Sequence, residues 1–333
     1  MVNMSKNLLK KKRSGIKRYI TLDAFRGLAV LFMIFVSALY LLTKNIPFLL
    51  LHNQGDVFLF FDLVAPIFQF TLGMSLFFSL LHHKLQGTKK SLITIQILWK
   101  YLILIILGFV LDAITFVDFH SWGVLETLGI GGIITFMVAN RTKNEKILLS
   151  ILILTTYSLL YYNPAFMAII SMPHGGPIGA LSYSVISIIG FMVAEALYTR
   201  RSDNSFFMST LKIALTLLIL GALLSLAVPI NKTHASPSFI LAATGAVLIF
   251  YLVFFVIYKY TGNTFDRLRM LGKTALAMWI IQYVFGWIFL FILQEKQFLD
   301  FSAGLIVSIA VTLTMYFIAI ALDKYKLISR IRL

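Results

Sequence analysis

The sequence predicts an all-α polytopic membrane protein of about ten transmembrane helices, with both termini in the cytoplasm. Three observations carry this. Mean hydropathy is +0.91. Charged residues make up 13% of the chain and hydrophobic ones 59%, where a soluble domain carries about 25% charge. Apolar runs of roughly 17–25 residues, the length that crosses a bilayer, recur from end to end. No stretch between them has room for a sizeable soluble domain.

Taken in order, residues 1–18 are a basic cytoplasmic tail and 19–43 the first span. A basic start followed by an apolar run imitates a signal peptide. This run is too long for one and lacks a small-residue cleavage site, so it reads as an uncleaved span. The next spans fall at about 57–81, 97–117, 122–140 and 146–162. The segment "NPAFMAIISMPHGGP" (163–177) is the longest outer connection; it is half apolar and expected to lie in the interface. Spans at 177–198, 212–230, 238–260, 273–293 and 301–322 complete the set, and 323–333 is a second basic tail. Connections are short and no persuasive internal repeat is visible, so 19–322 reads as one domain.

The formal net charge is +16. With the N-terminus inside, all but four of the 29 Lys and Arg fall in cytoplasmic segments or at their membrane edge. The exceptions are Lys44, Lys232, Lys296 and Arg26, the last near the inner end of span one. This asymmetry is the positive-inside signature. It assigns the charge to topology and to anionic lipid, not to nucleic acid. The expected location is the plasma membrane, as a multi-pass protein. Cysteine is absent, which excludes disulfides and thiol chemistry. His52, His120, His174 and His234 all fall on the outer side, but no pair has metal-ligand spacing, so no metal is expected.

Ionisable groups inside spans are costly and usually face a cavity or a partner. Asp23 and Arg26 in "TLDAFRGLAV" share a helix face. They read either as a cap with a snorkelling arginine or as a cationic site for a phosphorylated ligand. Asp62, in "HNQGDVFLFFDLVAP", sits about five residues into span two. Pro66 offers no N–H to the carbonyl of residue 62, so the helix is expected to be loosened there and to line a cavity. His52 lies in the preceding outer loop. A histidine with a carboxylate to fix its tautomer and raise its basicity is a general-base pair. A solvated loop histidine and a structural Asp62 remain the alternative. Glu126, one turn into span four, is expected near the same cavity.

Several stretches together resemble the heparan-α-glucosaminide N-acetyltransferase family. "LDAFRGLAVLFMIFV" is similar to that family's opening signature, and "HNQGDVFLFFDLVAPIFQFTLGMSL" to its H-x9-D-L-V-x-P block, with His52, Asp62, Pro66 and Gly73 in place. "KYLILIILGFVL" resembles its basic-led third span, "WGVLETLGI" its G-V-L-Q-R segment, "PINKTHASPSFILAATG" its P-x-N-K…S-x-x-L-x-x-x-G segment, and "LGKTALAMWI" its L-G-R-N-A-L stretch. Glu126 and Thr127 stand where the family has Gln-Arg, and Ser37 where many members have Asn.

The resemblance implies a transferase that moves an acetyl group from cytosolic acetyl-CoA to a sugar amine or hydroxyl across the membrane. It implies that His52 is catalytic. Asp62 would orient the imidazole. Arg26, Lys100 and Lys273 are the candidates for the anionic donor. Asn231, Lys232, Glu126 and Ser37 are the candidates for the acceptor. The partners so implied are acyl-CoA, a sugar or glycan acceptor, membrane lipids and a second copy of the chain in a homodimer. A proton-coupled transporter using Asp62, Glu126 and His52 is the competing reading. A third is a catalytically inactive relative that binds glycans.

Overall fold

A computed structural model describes residues 20–52, 55–114, 122–293 and 299–325. The tails at 1–18 and 326–333, His120 and Lys296 lie outside the described residues. Among the described residues twelve α-helices follow one another: α1 (Ile20–Leu42), α2 (Val64–Leu85), α3 (Lys90–Ile114), α4 (Val124–Val138), α5 (Lys143–Tyr161), α6 (Pro164–Ile170), α7 (Gly176–Thr199), α8 (Asp203–Leu224), α9 (Pro237–Thr261), α10 (Asp266–Lys273), α11 (Ala275–Leu293) and α12 (Phe301–Lys324). Among the described residues there is no strand beyond an isolated bridge between Thr43 and Leu299, which ties the outer end of α1 to the start of α12.

Helices α1, α2, α3, α7, α8, α9 and α12 are long and apolar enough to cross a membrane. The chain is an integral multi-pass membrane protein. The remaining three expected spans are shorter or broken. α4 has 15 residues, about 22 Å at 1.5 Å per residue. α11 is a shorter apolar helix through Gly286. The fifth span is the pair α5–α6, bent by 107°. The bend has a local cause. Pro164 has no N–H to continue α5, and Asn163 caps the new helix by accepting the Ala165 N–H at 3.0 Å. The outer connection at 163–177 thus folds as a short cross-helix.

Burial sorts the bundle into layers. Of the apolar windows, 72% of α7, 67% of α2 and 61% of α9 are buried, against 17% of α8 and 22% of α12. The first group, with α1, forms the inner bundle, and α8 and α12 face lipid. Small residues let the inner helices approach. A Cβ on Gly73 of α2 would lie 1.9 Å from the Ser187 carbonyl oxygen, and one on Gly190 of α7 2.2 Å from that of Phe70. The crossing is glued by a buried polar knot, with Gln69 Nε2 donating to Ser187 Oγ at 3.2 Å and Thr135 Oγ1 2.6 Å from the same hydroxyl. Such small-residue contacts and interhelical hydrogen bonds drive helix association in lipid. At the inner edge, the amphipathic α10 lies on α1 through Gly272 and Gly27.

Candidate active site

The site grows from the loop between α1 and α2. Loop residue His52 is fixed by Tyr40, three residues beyond Ser37 on α1. The Tyr40 hydroxyl accepts the His52 N–H and donates to the His52 carbonyl at 3.2 Å. The two rings stack obliquely with centroids 4.0 Å apart. The chain then enters α2 through a 3-10 turn, Phe60–Leu63, that carries Asp62. This corrects the expected loosened helix. α2 begins at Val64, so Pro66 sits in its first turn, where a missing N–H leaves no bond broken. Asp62 is fully buried at the head of the helix. Its Oδ2 accepts the Leu59 N–H at 2.9 Å, and its Oδ1 lies 3.4 Å from Lys232 Nζ.

Lys232 comes from the loop between α8 and α9, and a network of hydrogen bonds fastens that loop over the site. Asn231 Nδ2 donates to Asp56 Oδ1 at 2.9 Å, and Asn231 Oδ1 accepts the His234 N–H at 2.9 Å. Tyr157 donates to the His234 carbonyl at 2.6 Å, and the Gly175 N–H to that of Thr233 at 2.7 Å. Ser236 caps α9 and also receives the Asn231 N–H. The ends of α1, α2, α5, α7 and α9 on the His52 side are thereby clamped together.

Beneath this cap lies a cavity of about 240 Å³, whose polar lining is His52, His174, Lys232, Ser37, Gln282 and Tyr283. Gln282 of α11 donates to Ser37 Oγ at 2.6 Å. The electrostatics of His52 differ from the expectation. Burial lowers its pKa most, Lys232 lowers it further, and Asp62 only partly opposes them, so it falls to about 4. The imidazole is neutral at physiological pH and poorly basic in the ground state. Burial likewise lowers Lys232, against the pull of Asp62. Among the described residues no three His, Asp or Glu gather tightly enough to hold a metal ion.

The candidates therefore separate. His52, Lys232 and Ser37 line one cavity, and Asp62 supports it through Lys232. Asn231 braces the cap. Glu126 is buried at the start of α4, where Oε2 caps the helix by accepting the Gly123 N–H at 3.1 Å. It contributes its neighbour Val124, not itself, to the cavity. Arg26 and Lys100 meet away from this cavity, toward the middle of the bundle. Arg26 donates to Ser75 of α2, and the two cations lie within electrostatic reach of each other. Lys273 is apart from them, exposed at the end of α10. Sequence reasoning missed Tyr40, Trp279, Gln282 and Tyr283 and gave His174 no role. Gln282 carried a signal, as a lone carboxamide in an apolar span. So did the i, i+4, i+7 spacing of Met33, Ser37 and Tyr40.

Comparison with known proteins bears on this arrangement. The family model described as heparan-alpha-glucosaminide N-acetyltransferase, catalytic, matches residues 18–223, from the head of α1 to the end of α8. The heparan-alpha-glucosaminide N-acetyltransferase of Mus musculus is 30% identical over 129 residues, which are 36% of this chain and 19% of the mouse protein. The chain thus matches about a fifth of that relative's length. The family match covers well over half of the chain and includes every helix that flanks the His52 loop, and the chain belongs to the heparan-alpha-glucosaminide N-acetyltransferase catalytic family.

Proposed function

We propose that this protein is a plasma-membrane acyltransferase that passes an acetyl group from cytosolic acetyl-CoA to a sugar amine or hydroxyl on the outer side. One observation carries the reading: along helices α1 and α2 the His52 cavity is followed, further down the same two helices, by a pair of cations. Ser37 and Ala65 line the cavity, while Arg26 and its partner Ser75 lie ten or eleven residues away. That separation is roughly 16 Å at 1.5 Å per residue. Two cations brought together there favour a polyanion. The phosphates of CoA fit that demand, and its long pantetheine arm suits the distance to the cavity.

At the outer end, neutral His52 has a lone pair to offer. It takes the proton of the acceptor amine or hydroxyl as that group attacks the thioester, or it attacks first and carries the acyl group. In either route His52 acquires positive charge, and Asp62 favours that charge, offsetting in part the opposition of burial and Lys232. Tyr40 holds the residue at its backbone and by stacking, so the imidazole is placed before substrate arrives. Lys232 and Ser37 face the space where the acceptor would sit. A proton-coupled transporter fits less well, because Asp62 is engaged by Lys232 and the Leu59 N–H, and Glu126 by its helix cap.

The test is purified protein with radiolabelled acetyl-CoA and a panel of amino sugars and glycan oligosaccharides. Label transfer to an amine or hydroxyl is the expected result. Failure to bind acetyl-CoA at all would overturn the reading.

A further inference from the structure

His174 is one of four non-glycine residues at positive φ among the described residues. Its backbone is left-handed (φ 58°, ψ 24°), and it precedes two glycines that are also at positive φ. A residue with a Cβ adopts this conformation at a cost, and such outliers gather where function fixes a side chain. The surroundings enforce it. Gly175 N–H is held by Thr233, and the first turn of α7 presses so closely that a Cβ on Gly179 would lie 2.0 Å from the His174 carbonyl oxygen. The strain aims the imidazole into the His52 cavity, within electrostatic reach of both His52 and Lys232. The side chain is 9% exposed, and its Nδ1 lies 3.2 Å from the hydroxyl of fully buried Tyr183.

That contact bears on the tautomer. With Tyr183 donating its phenol proton to Nδ1, the ring's own proton lies on Nε2, and this is the tautomer the role requires. His174 shares the cavity with His52 and Lys232, and Lys232 faces the Asp62 carboxylate, so His174 is a neutral N–H donor placed on the histidine side of the space.

We propose that His174 is a second functional histidine of the cavity, donating its Nε2–H to the acyl carbonyl oxygen during transfer. The proposal rests on the transferase reading. As the acceptor nitrogen or oxygen bonds to the thioester carbon and gives its proton to His52, the C=O electron pair moves onto oxygen and is held by His174. The pair then returns, the C–S bond breaks, and sulfur leaves with its electrons. The proton that His52 removes from the acceptor reaches that sulfur. His174 keeps its proton throughout, and nothing is oxidised or reduced.

Two substitutions separate this role from a structural one. Asn tolerates the left-handed backbone and places an amide near Nδ1 but nothing at Nε2. Gln places its amide N–H near Nε2. Loss of one such donor costs about 10²–10³-fold in kcat. His174→Asn is expected to lower kcat about 100-fold, with KM for acetyl-CoA within about twofold of wild type. His174→Gln should keep at least about a tenth of wild-type kcat. Thermal stabilisation by acetyl-CoA reports that each variant is folded. Near-wild-type kcat in His174→Asn, or equal losses in both variants, would overturn the proposal. Should His174→Asn fail to fold, Tyr183→Phe reads the same claim, because it frees the proton to move to Nδ1. A drop in kcat of about tenfold or more at constant KM supports the role, and an unchanged kcat refutes it. A wild-type protein that binds acetyl-CoA yet transfers to no acceptor would overturn the transferase reading and this inference with it. Wild-type turnover with an unaffected His174→Asn overturns the inference alone.

Discussion

Replacing Lys232 by methionine removes half of an ion pair that the fold buries almost completely. Nζ lies 3.4 Å from Asp62 Oδ1, and the side chains are 6% and 0% exposed. Unit charges 3.4 Å apart attract by about 5 kcal/mol at an effective dielectric of 20. The variant keeps the bond from the Leu59 N–H to Asp62 Oδ2, so the carboxylate is not stripped of every partner. Removing one member of a buried pair costs about 3–5 kcal/mol because the other charge is left uncompensated. Lys232→Met is expected to fall in that range, and so is Asp62→Asn through the stranded ammonium. The double variant leaves no buried charge at the pair and is expected to regain more than half of the loss. The assay is a double-mutant cycle by reversible unfolding in mixed detergent micelles, with an expected coupling of about 3 kcal/mol or more. A single variant within about 1 kcal/mol of wild type, or strictly additive losses, would refute the reasoning.

Three further expectations follow from the same geometry. The pKa of His52 is lowered to about 4, so its neutral form should persist as pH falls and be lost only near pH 4. Hydrolysis of acetyl-CoA without acceptor avoids titration of the acceptor amine; its His52-dependent rate should hold to pH 5, where an ordinary histidine would be only about 3% neutral. A rate that halves near pH 6.5 would contradict this. Arg26→Ala and Lys100→Ala should each raise KM for acetyl-CoA about 10–100-fold with little change in kcat, as expected for lost charge-assisted binding; equal losses in kcat would move the donor site elsewhere. Gly73→Ala forces a methyl against the Ser187 carbonyl and should lower stability by about 1–3 kcal/mol, read as a drop in thermal midpoint in detergent.

The helices were legible because each answers to a local rule. α1, α2 and α9 are apolar runs of bilayer length. The break between α5 and α6 was legible only as a half-apolar connection, since a proline fixes where a helix ends but not the angle at which the next one leaves. Pro66 misled in the opposite way. It reads as a kink inside a helix, yet the helix had only just begun. At the site, His52 and Asp62 stood out as polar groups beside or within an apolar run. Their true partners did not. Lys232 reaches Asp62 from the far end of the chain, and Tyr40 is an ordinary aromatic on an apolar helix face. His174 looked like one more outer loop histidine, because left-handed backbone and cavity exposure are properties of the packed structure. The sign of the His52 shift was hidden for the same reason: Asp62 is visible in the sequence, but burial and Lys232 outweigh it.

The proposed role of His52 is transfer across the membrane, from one face to the other. The most direct measurement uses proteoliposomes of known orientation, with an amino-sugar acceptor on the His52 face and radiolabelled acetyl-CoA on the Arg26–Lys100 face, for wild type and His52→Ala. The account expects acetylated acceptor with wild type and at least about a thousandfold less with the variant, while acetyl-CoA still binds both. Equal transfer by His52→Ala, or transfer only when both substrates share one face, would contradict it.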